Sequence, residues 1–312
     1  MDIKHLLSRA TRHIDHLDAE LLLAHVLKQS REFIIAHPEK KVTLFQKLYF
    51  ILLAHKRKNG TPLAYLTGHK DFFGYEFAVN RHTLIPRPDT EILVEAALKI
   101  LLKEIQVGNK DNKTILIDIG TGSGCIPISI VASLKSKNVK KTAKTDSGAP
   151  DKNYAANQTE HVLDVHASDT SAAALKVAKK NAERHVTHIT FHHGNLLAPF
   201  VHLLKKEQET GLFITANLPY LDENWYTEEP SIQKEPKNAL VAEEGGLSDY
   251  MELFSEIKDL QIKPTVFIEI DPRQTKLMIS YILKLFPGAH IETHNDLARH
   301  VRVLVAKLDE HS

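Results

Sequence analysis

Apolar positions along the chain follow three rhythms. In residues 1–58 they recur at helical spacing: 19–27 is one run, and Leu44, Leu48, Ile51, Leu52 and His55 mark one face of another, 44–58. Asp18 is placed to cap the first run, and Gly60 and Pro62 end the second. Next, Phe73, Tyr75, Phe77 and Val79 alternate about Gly74, the pattern of a β-hairpin. A helix is predicted over 90–104, entered from an extended segment held by Pro86 and Pro88. From residue 115 onward, short aliphatic runs alternate with helical stretches. Ile115 to Ile119 reads as a strand buried on both faces, followed by a helix over 126–134, a strand over 161–169, a helix over 171–184 and a strand over 188–191. Residues 213–216, 264–270 and 301–306 supply later strands. This alternation predicts an α/β domain with a parallel sheet.

Three parts follow from these rhythms: a small N-terminal helical domain (1–58), a linker containing the β-hairpin (59–84), and an α/β domain (85–312). The βαβ rhythm breaks over 135–161, where Lys135, Lys137, Lys140, Lys141 and Lys144 give way to polar residues without periodicity. That stretch is predicted to be an inserted, mobile surface loop.

Composition narrows the picture only a little. With 312 residues, 43% hydrophobic and 25% charged, the chain has the make-up of a soluble globular protein. A net charge of +1 gives no overall attraction to nucleic acid. The single cysteine, Cys125, excludes an internal disulfide framework and fits a reducing cytoplasm. No apolar run reaches the length of a membrane span, and Met1-Asp2-Ile3-Lys4-His5 does not lead into a signal-peptide core. Nineteen histidines are present, but no cysteine or repeated carboxylate spacing accompanies them, so no metal site is expected.

Candidate chemistry sits at four places. Gly120-Thr121-Gly122-Ser123-Gly124 turns the chain tightly after the first aliphatic strand and lets backbone N–H groups approach a ligand. Its spacing departs from the dinucleotide fingerprint, because Cys125 stands where the third glycine is required, and the acid expected about 20 residues on is missing. It lacks the Gly-Lys-Ser/Thr of a P-loop. Asp169 ends the second strand of the unit, where a carboxylate can accept both hydroxyls of a ribose. Asn195 and Leu196, after the third, are placed to meet an adenine edge and face. Asn217-Leu218-Pro219-Tyr220 closes a later strand. The oxygen of an Asn217 amide and a turn carbonyl can accept both N–H groups of a substrate amide, hold its nitrogen in line, and favour its rehybridisation. Tyr220 offers a surface for stacking a planar group. Taken singly, these are also an ordinary turn, a helix cap and another turn. Their order along one chain is what makes them a signal.

The Asp118-x-Gly120-x-Gly122-x-Gly124 form resembles motif I of the S-adenosylmethionine methyltransferases. The chain as a whole resembles the bacterial and organellar release-factor glutamine N5-methyltransferases. The matching pieces are Gly60-Thr61-Pro62-Leu63-Ala64-Tyr65-Leu66-Thr67-Gly68, Leu84-Ile85-Pro86-Arg87-Pro88-Asp89-Thr90-Glu91, the glycine loop to Cys125, Asp169 to Ala174, Asn217 to Tyr220, and Glu235-Pro236-Lys237-Asn238-Ala239-Leu240. The resemblance implies a Rossmann-like class I methyltransferase fold: a seven-stranded sheet with an N-terminal helical bundle and a hairpin linker. It implies S-adenosyl-L-methionine as cofactor, bound by Gly120, Thr121, Gly122, Ser123, Gly124, Asp169, Asn195, Leu196 and Asn217. Asn217, Leu218, Pro219 and Tyr220 are the implied catalytic turn. The implied substrate is the glutamine of the Gly-Gly-Gln tip of class I peptide chain release factors, taken by a cytoplasmic monomer with the helical domain recognising the substrate and no direct nucleic-acid contact. Two departures stand out: Leu218 where the family usually has proline, and Asn195 where an acid is common. Asn-Leu-Pro-Tyr is also the form found in rRNA adenine dimethylases, so an rRNA or DNA adenine N6-methyltransferase is the alternative. A non-catalytic cofactor-binding adaptor is a third reading.

Overall fold

The computed structural model describes residues 1–107, 113–142, 163–206 and 211–308; most of the predicted 135–161 insert, from 143 on, lies outside the described residues. The first helices are α1 (Ile3–Ala10), α2 (His16–Leu27), α3 (Arg31–Ala36), α4 (Leu44–Lys58) and α5 (Leu63–Thr67). They close around their own apolar cluster, with Ile3, Leu22, Leu23, Ile34 and Phe50 fully buried and Leu66 of α5 packed among them. α4 has the predicted bounds, started by a capping box between Thr43 and Gln46. α2 begins earlier than predicted. Asp15, not Asp18, is its cap, accepting from Leu17 N at 2.8 Å, while Asp18 in the first turn pairs with Arg57 Nε at 2.6 Å.

The hairpin joins β1 (His69–Phe72) to β2 (Tyr75–Ala78). Its two-residue turn is Phe73-Gly74, with φ of 51° and 76°, the left-handed pair that suits the twist of a tight hairpin. Phe73 is therefore in the turn rather than in the alternating strand. Phe72 and Phe77 bury themselves against the α/β domain. Asn181 fastens the hairpin further, exchanging hydrogen bonds with the Ala78 backbone and donating to Ser123 O in the glycine loop at 2.8 Å.

The α/β domain runs α6 (Thr90–Val107), β3 (Thr114–Ile119), α7 (Cys125–Thr142), β4 (Leu163–Asp169), α8 (Ala172–Arg184), β5 (Thr190–His193), α9 (Val201–Lys206), β6 (Gly211–Ala216), α10 (Glu223–Glu228), α11 (Ser248–Asp259), β7 (Thr265–Glu269), α12 (Thr275–Leu285), β8 (His290–Asn295) and β9 (Val301–Lys307). The strands form one seven-stranded sheet in the order β5-β4-β3-β6-β7-β9-β8. β5 to β7 are parallel along that order, and β9 is antiparallel to both of its neighbours. This is the expected Rossmann-like methyltransferase sheet. Side chains of β3 alternate between two cores. Ile115, Ile117 and Ile119 face Tyr250, Phe254 and Ile282 of α11 and α12, whereas Leu116 faces Leu93, Leu101 and Ile128 of α6 and α7.

Two predicted elements shift and one strand is new. α7 continues to Thr142, so the lysine-rich start of the supposed insert extends a helix; lysine is a good helix former. β5 starts at Thr190, two residues late, where pairing with His166 of β4 begins. β8 was not predicted: His290, Glu292, Thr293 and Asn295 lie exposed on the sheet edge and carry no apolar stripe. The order of strands reverses at β3, which has β4 on one side and β6 on the other. That reversal opens a crevice at the carboxyl ends of these strands. Among the described residues no helix is long and apolar enough to cross a membrane.

Candidate active site

The crevice holds a cavity of about 310 Å³. Its floor is the loop from β3 to α7, in which Gly120, Gly122 and Gly124 have φ of 69°, 54° and 79°. Two contacts across the strand ends hold the loop. Thr121 N donates to Ser168 O at 2.8 Å, and Gly122 N donates to Asp169 Oδ2 at 2.8 Å. A Cβ on Gly122 would meet nothing within 4 Å, so this backbone borders open space. Asp169 Oδ1 accepts Ser171 N at 2.8 Å and Ser171 caps α8, so Asp169 shapes two backbones while lining the cavity. Burial raises its pKa, against hydrogen bonds from Ser171 and Gly122 that favour the carboxylate.

Behind the loop, Asp118 is fully buried. It accepts from Thr215 Oγ1 at 2.7 Å, and its Oδ2 finds no partner among the described residues. Burial pushes its pKa up to about 7, in spite of the Thr121 and Thr215 hydroxyls.

The opposite wall is the turn after β6. Because Ala216 pairs with Ile268, the next residues, Asn217 and Glu269, stand side by side at the strand ends. Asn217 Nδ2 donates to Glu269 Oε2 at 3.0 Å and to Thr90 Oγ1 at 3.2 Å. Asn217 Oδ1 is buried and has no partner among the described residues. Leu218 N donates to the Tyr250 hydroxyl at 3.0 Å, and that hydroxyl donates to Glu269 O at 2.5 Å. The Leu218 side chain is buried over the glycine loop, with its methyl 2.9 Å from where a Cβ on Gly120 would stand. Leucine thus keeps the turn packed on the loop where the family pattern has proline. Tyr220 donates its hydroxyl to Glu269 Oε1 at 3.1 Å, and its carbonyl accepts from Gln274 Nε2 at 2.7 Å.

The roof comes from two segments far apart in sequence. Glu235, almost fully buried, pairs with the Arg87 guanidinium and accepts Ile85 N at 3.0 Å. Arg87 is therefore a half-exposed partner of a buried carboxylate. This pairing lays Leu84–Arg87 beside Pro236, Asn238 and Ala239 over the cavity. Asp89 faces Arg302 at 3.3 Å. Next to the cavity, a wider groove of about 1450 Å³ runs between the N-terminal helices and the sheet, lined by His25, Arg57, Tyr220, Trp225, Arg273 and Arg302 among others. Arg273 stacks on Trp225 at 3.4 Å.

Most of the residues singled out from the sequence meet here. Gly120, Thr121, Gly122, Ser123, Asp169, Asn195, Leu196, Asn217, Leu218 and Pro219 all line the cavity. Gly124 and Tyr220 do not. Gly124 faces Ile128 and Ala178, where its lack of a side chain lets α7 and α8 approach, and Tyr220 lines the groove instead. Glu269, Tyr250 and Gln274 were not found from the sequence, and Thr90 stood there only as part of a matching segment, with no role in the site. The only local sign was an acid, Glu269, ending an apolar strand. Among the described residues no group of three or more His, Cys, Asp or Glu side chains is arranged to hold a metal ion.

Residues 2–68 match the family described as the PrmC N-terminal domain. The chain is 33% identical over 298 residues to the release factor glutamine methyltransferase of Bacillus anthracis, covering 95% of this chain and 93% of that one. It is 30% identical over 315 residues to that of Buchnera aphidicola, covering 98% and 99%. Against the human METTL16 catalytic domain, solved with a MAT2A 3′UTR hairpin, the TM-score is 0.50 at 14% identity, covering 91% of this chain and 90% of that one; this likeness is one of fold alone.

Proposed function

The chain belongs to the release factor glutamine methyltransferase family, and from that premise we propose that it methylates the side-chain amide nitrogen of the glutamine in the Gly-Gly-Gln motif of class I peptide chain release factors. The methyl donor is S-adenosyl-L-methionine, and the residues present fit it. Gly122 leaves open backbone at the cavity, Asp169 has lone pairs to spare for ribose hydroxyls, and Asn195 and Leu196 border the same space. When bound, S-adenosylmethionine supplies an electrophilic methyl group on a sulfonium.

The observation that carries the reading is the state of Asn217. Its Nδ2 is fully used by Thr90 and Glu269, so Oδ1 must turn the other way, buried and without a partner among the described residues, at a residue that lines the cavity. A substrate amide N–H is the complement of that oxygen. With the carbonyl of Leu218 as second acceptor, both N–H groups of a glutamine amide are held, and its lone pair is freed from delocalisation as it attacks.

The helical module presents the substrate protein. α4 turns Leu44, Phe45, Leu48 and Leu52 to solvent in one stripe, more apolar exposure than a single helix needs for its own packing. The wide groove beside Tyr220 leads from that module to the turn. The enzyme acts as a monomer in the cytoplasm. Incubation with tritiated S-adenosylmethionine and either a purified release factor or ribosomal RNA tests this reading. Label in the release factor is expected, and label in RNA alone would replace it with the adenine methyltransferase reading that Leu218 allows.

A further inference from the structure

Glu269 touches three of the four residues of the catalytic turn, directly or through one atom. Its Oε2 takes Asn217 Nδ2 at 3.0 Å, and its Oε1 takes the Tyr220 hydroxyl at 3.1 Å. Its backbone carbonyl takes the hydroxyl of Tyr250, which in turn receives Leu218 N. A carboxylate is costly to bury, and Glu269 is 2% exposed. What it offers in return is chemistry that no neutral side chain of its size has. An ionised carboxylate only accepts, on both oxygens, whereas the glutamine amide of the same shape can turn either its oxygen or its NH₂ toward Asn217, because the Tyr220 hydroxyl on the other side can donate or accept, and so it dictates no orientation. Burial raises the pKa of Glu269 and Asp89 adds to this, while Thr90, Tyr220 and Arg302 work to keep it charged.

An asparagine amide fits its site equally well in shape with oxygen and nitrogen exchanged, so something must select one orientation. We propose that Glu269 and Thr90 are positioning residues that act as an orientation lock: together they occupy both N–H groups of Asn217 and so commit its oxygen to the substrate. Without the lock, Asn217 can turn its oxygen inward and present N–H groups to a substrate nitrogen that itself carries N–H. The consequence for turnover rests on the methyl-transfer reading above. The consequence for the Asn217 amide does not.

Two measurements on the full-length protein test the lock. In ¹⁵N-labelled protein the Asn217 side-chain amide is identified by its loss in Asn217→Ala. Its protons are expected to exchange at least about tenfold more slowly than those of exposed Asn224, and to lose about tenfold of that protection in Glu269→Gln and in Thr90→Val. In the methylation assay both variants are expected to lose about tenfold or more in kcat, with KM for S-adenosylmethionine and release factor within about twofold of wild type. Thr90→Ser, which keeps the hydroxyl, is expected to recover most of the loss. In an Asn217→Ala background the same substitutions should cost less than about twofold, because the group they position is gone.

Undiminished protection of the Asn217 amide in both variants would overturn the lock, as would a full kinetic loss in the Asn217→Ala background. Should wild type transfer no methyl group to release factor, the methyl-transfer reading falls and the exchange measurement still decides the lock. If Glu269→Gln fails to fold, Thr90→Val asks the same question from the other acceptor.

Discussion

Asp169 and Gly122, 47 residues apart, are joined across the floor of the cavity by a 2.8 Å hydrogen bond from the Gly122 N–H to Asp169 Oδ2. The carboxylate therefore fixes the loop as well as lining the cavity. Asp169→Ala removes both roles, and its affinity for S-adenosylmethionine is expected to fall about 10- to 100-fold, the scale of hydrogen bonds to a charged group. Gly122→Val forces a branched side chain into φ of 54° and fills the open space beside it, so it too should weaken binding. Calorimetry measures both. Unchanged affinity in the two variants, with the fold intact, contradicts the assignment.

Asn217 should matter for transfer rather than for cofactor binding. Asn217→Ala is expected to keep most of its S-adenosylmethionine affinity and to lose about 10²–10³ in turnover, the usual effect of deleting one oriented hydrogen-bonding group at a reacting atom. Single-turnover rates with saturating cofactor measure it. Near-normal turnover would take Asn217 out of the chemistry.

Asp118 makes stability depend on pH in a stated direction. Its pKa is raised by burial to about 7, so the folded protein holds this proton at a pH where the unfolded chain has lost it. Its contribution is fully present below about pH 4, the unfolded value, and is lost as pH rises through about 7. Asp118→Asn keeps an oxygen for the Thr215 hydroxyl and removes the titration. In urea unfolding, the variant's stability relative to wild type is expected to improve from pH 5 to pH 8. A difference that stays flat over this range would show that Asp118 does not titrate there.

Much of the site was legible because its pieces are short and local. A glycine loop after an aliphatic strand, an acid at the next strand end and Asn217-Leu218-Pro219-Tyr220 each announce themselves within a few residues. The support for that turn was not legible. Thr90 lies 127 residues from Asn217 and Glu269 lies 52 from it, and only the pairing of β6 with β7 and the placement of α6 bring them together. The Arg87–Glu235 pair has the same character, at 148 residues. In the fold, β8 escaped notice because an edge strand with polar side chains has no period to read. The extension of α7 escaped because its lysines resemble a solvated loop.

The exposed stripe on α4 yields a surface prediction. Phe45 and Leu48 are 79% and 58% exposed, so Phe45→Ser with Leu48→Ser should leave the fold and cofactor affinity unchanged. On intact release factor, kcat/KM is expected to fall about tenfold, as loss of apolar anchors at a protein interface commonly does. A short peptide carrying Gly-Gly-Gln should be methylated as before. Equal rates on intact release factor for variant and wild type would show that this face is not where the substrate docks.

The central claim concerns one atom of the substrate, and tandem mass spectrometry of release factor treated with the enzyme and S-adenosylmethionine addresses it most directly. The expected result is a single added methyl group on the side-chain nitrogen of the Gly-Gly-Gln glutamine, absent when wild type is replaced by Asn217→Ala. A methyl group on any other residue, or an unmodified glutamine beside methylated adenine in RNA, would contradict it.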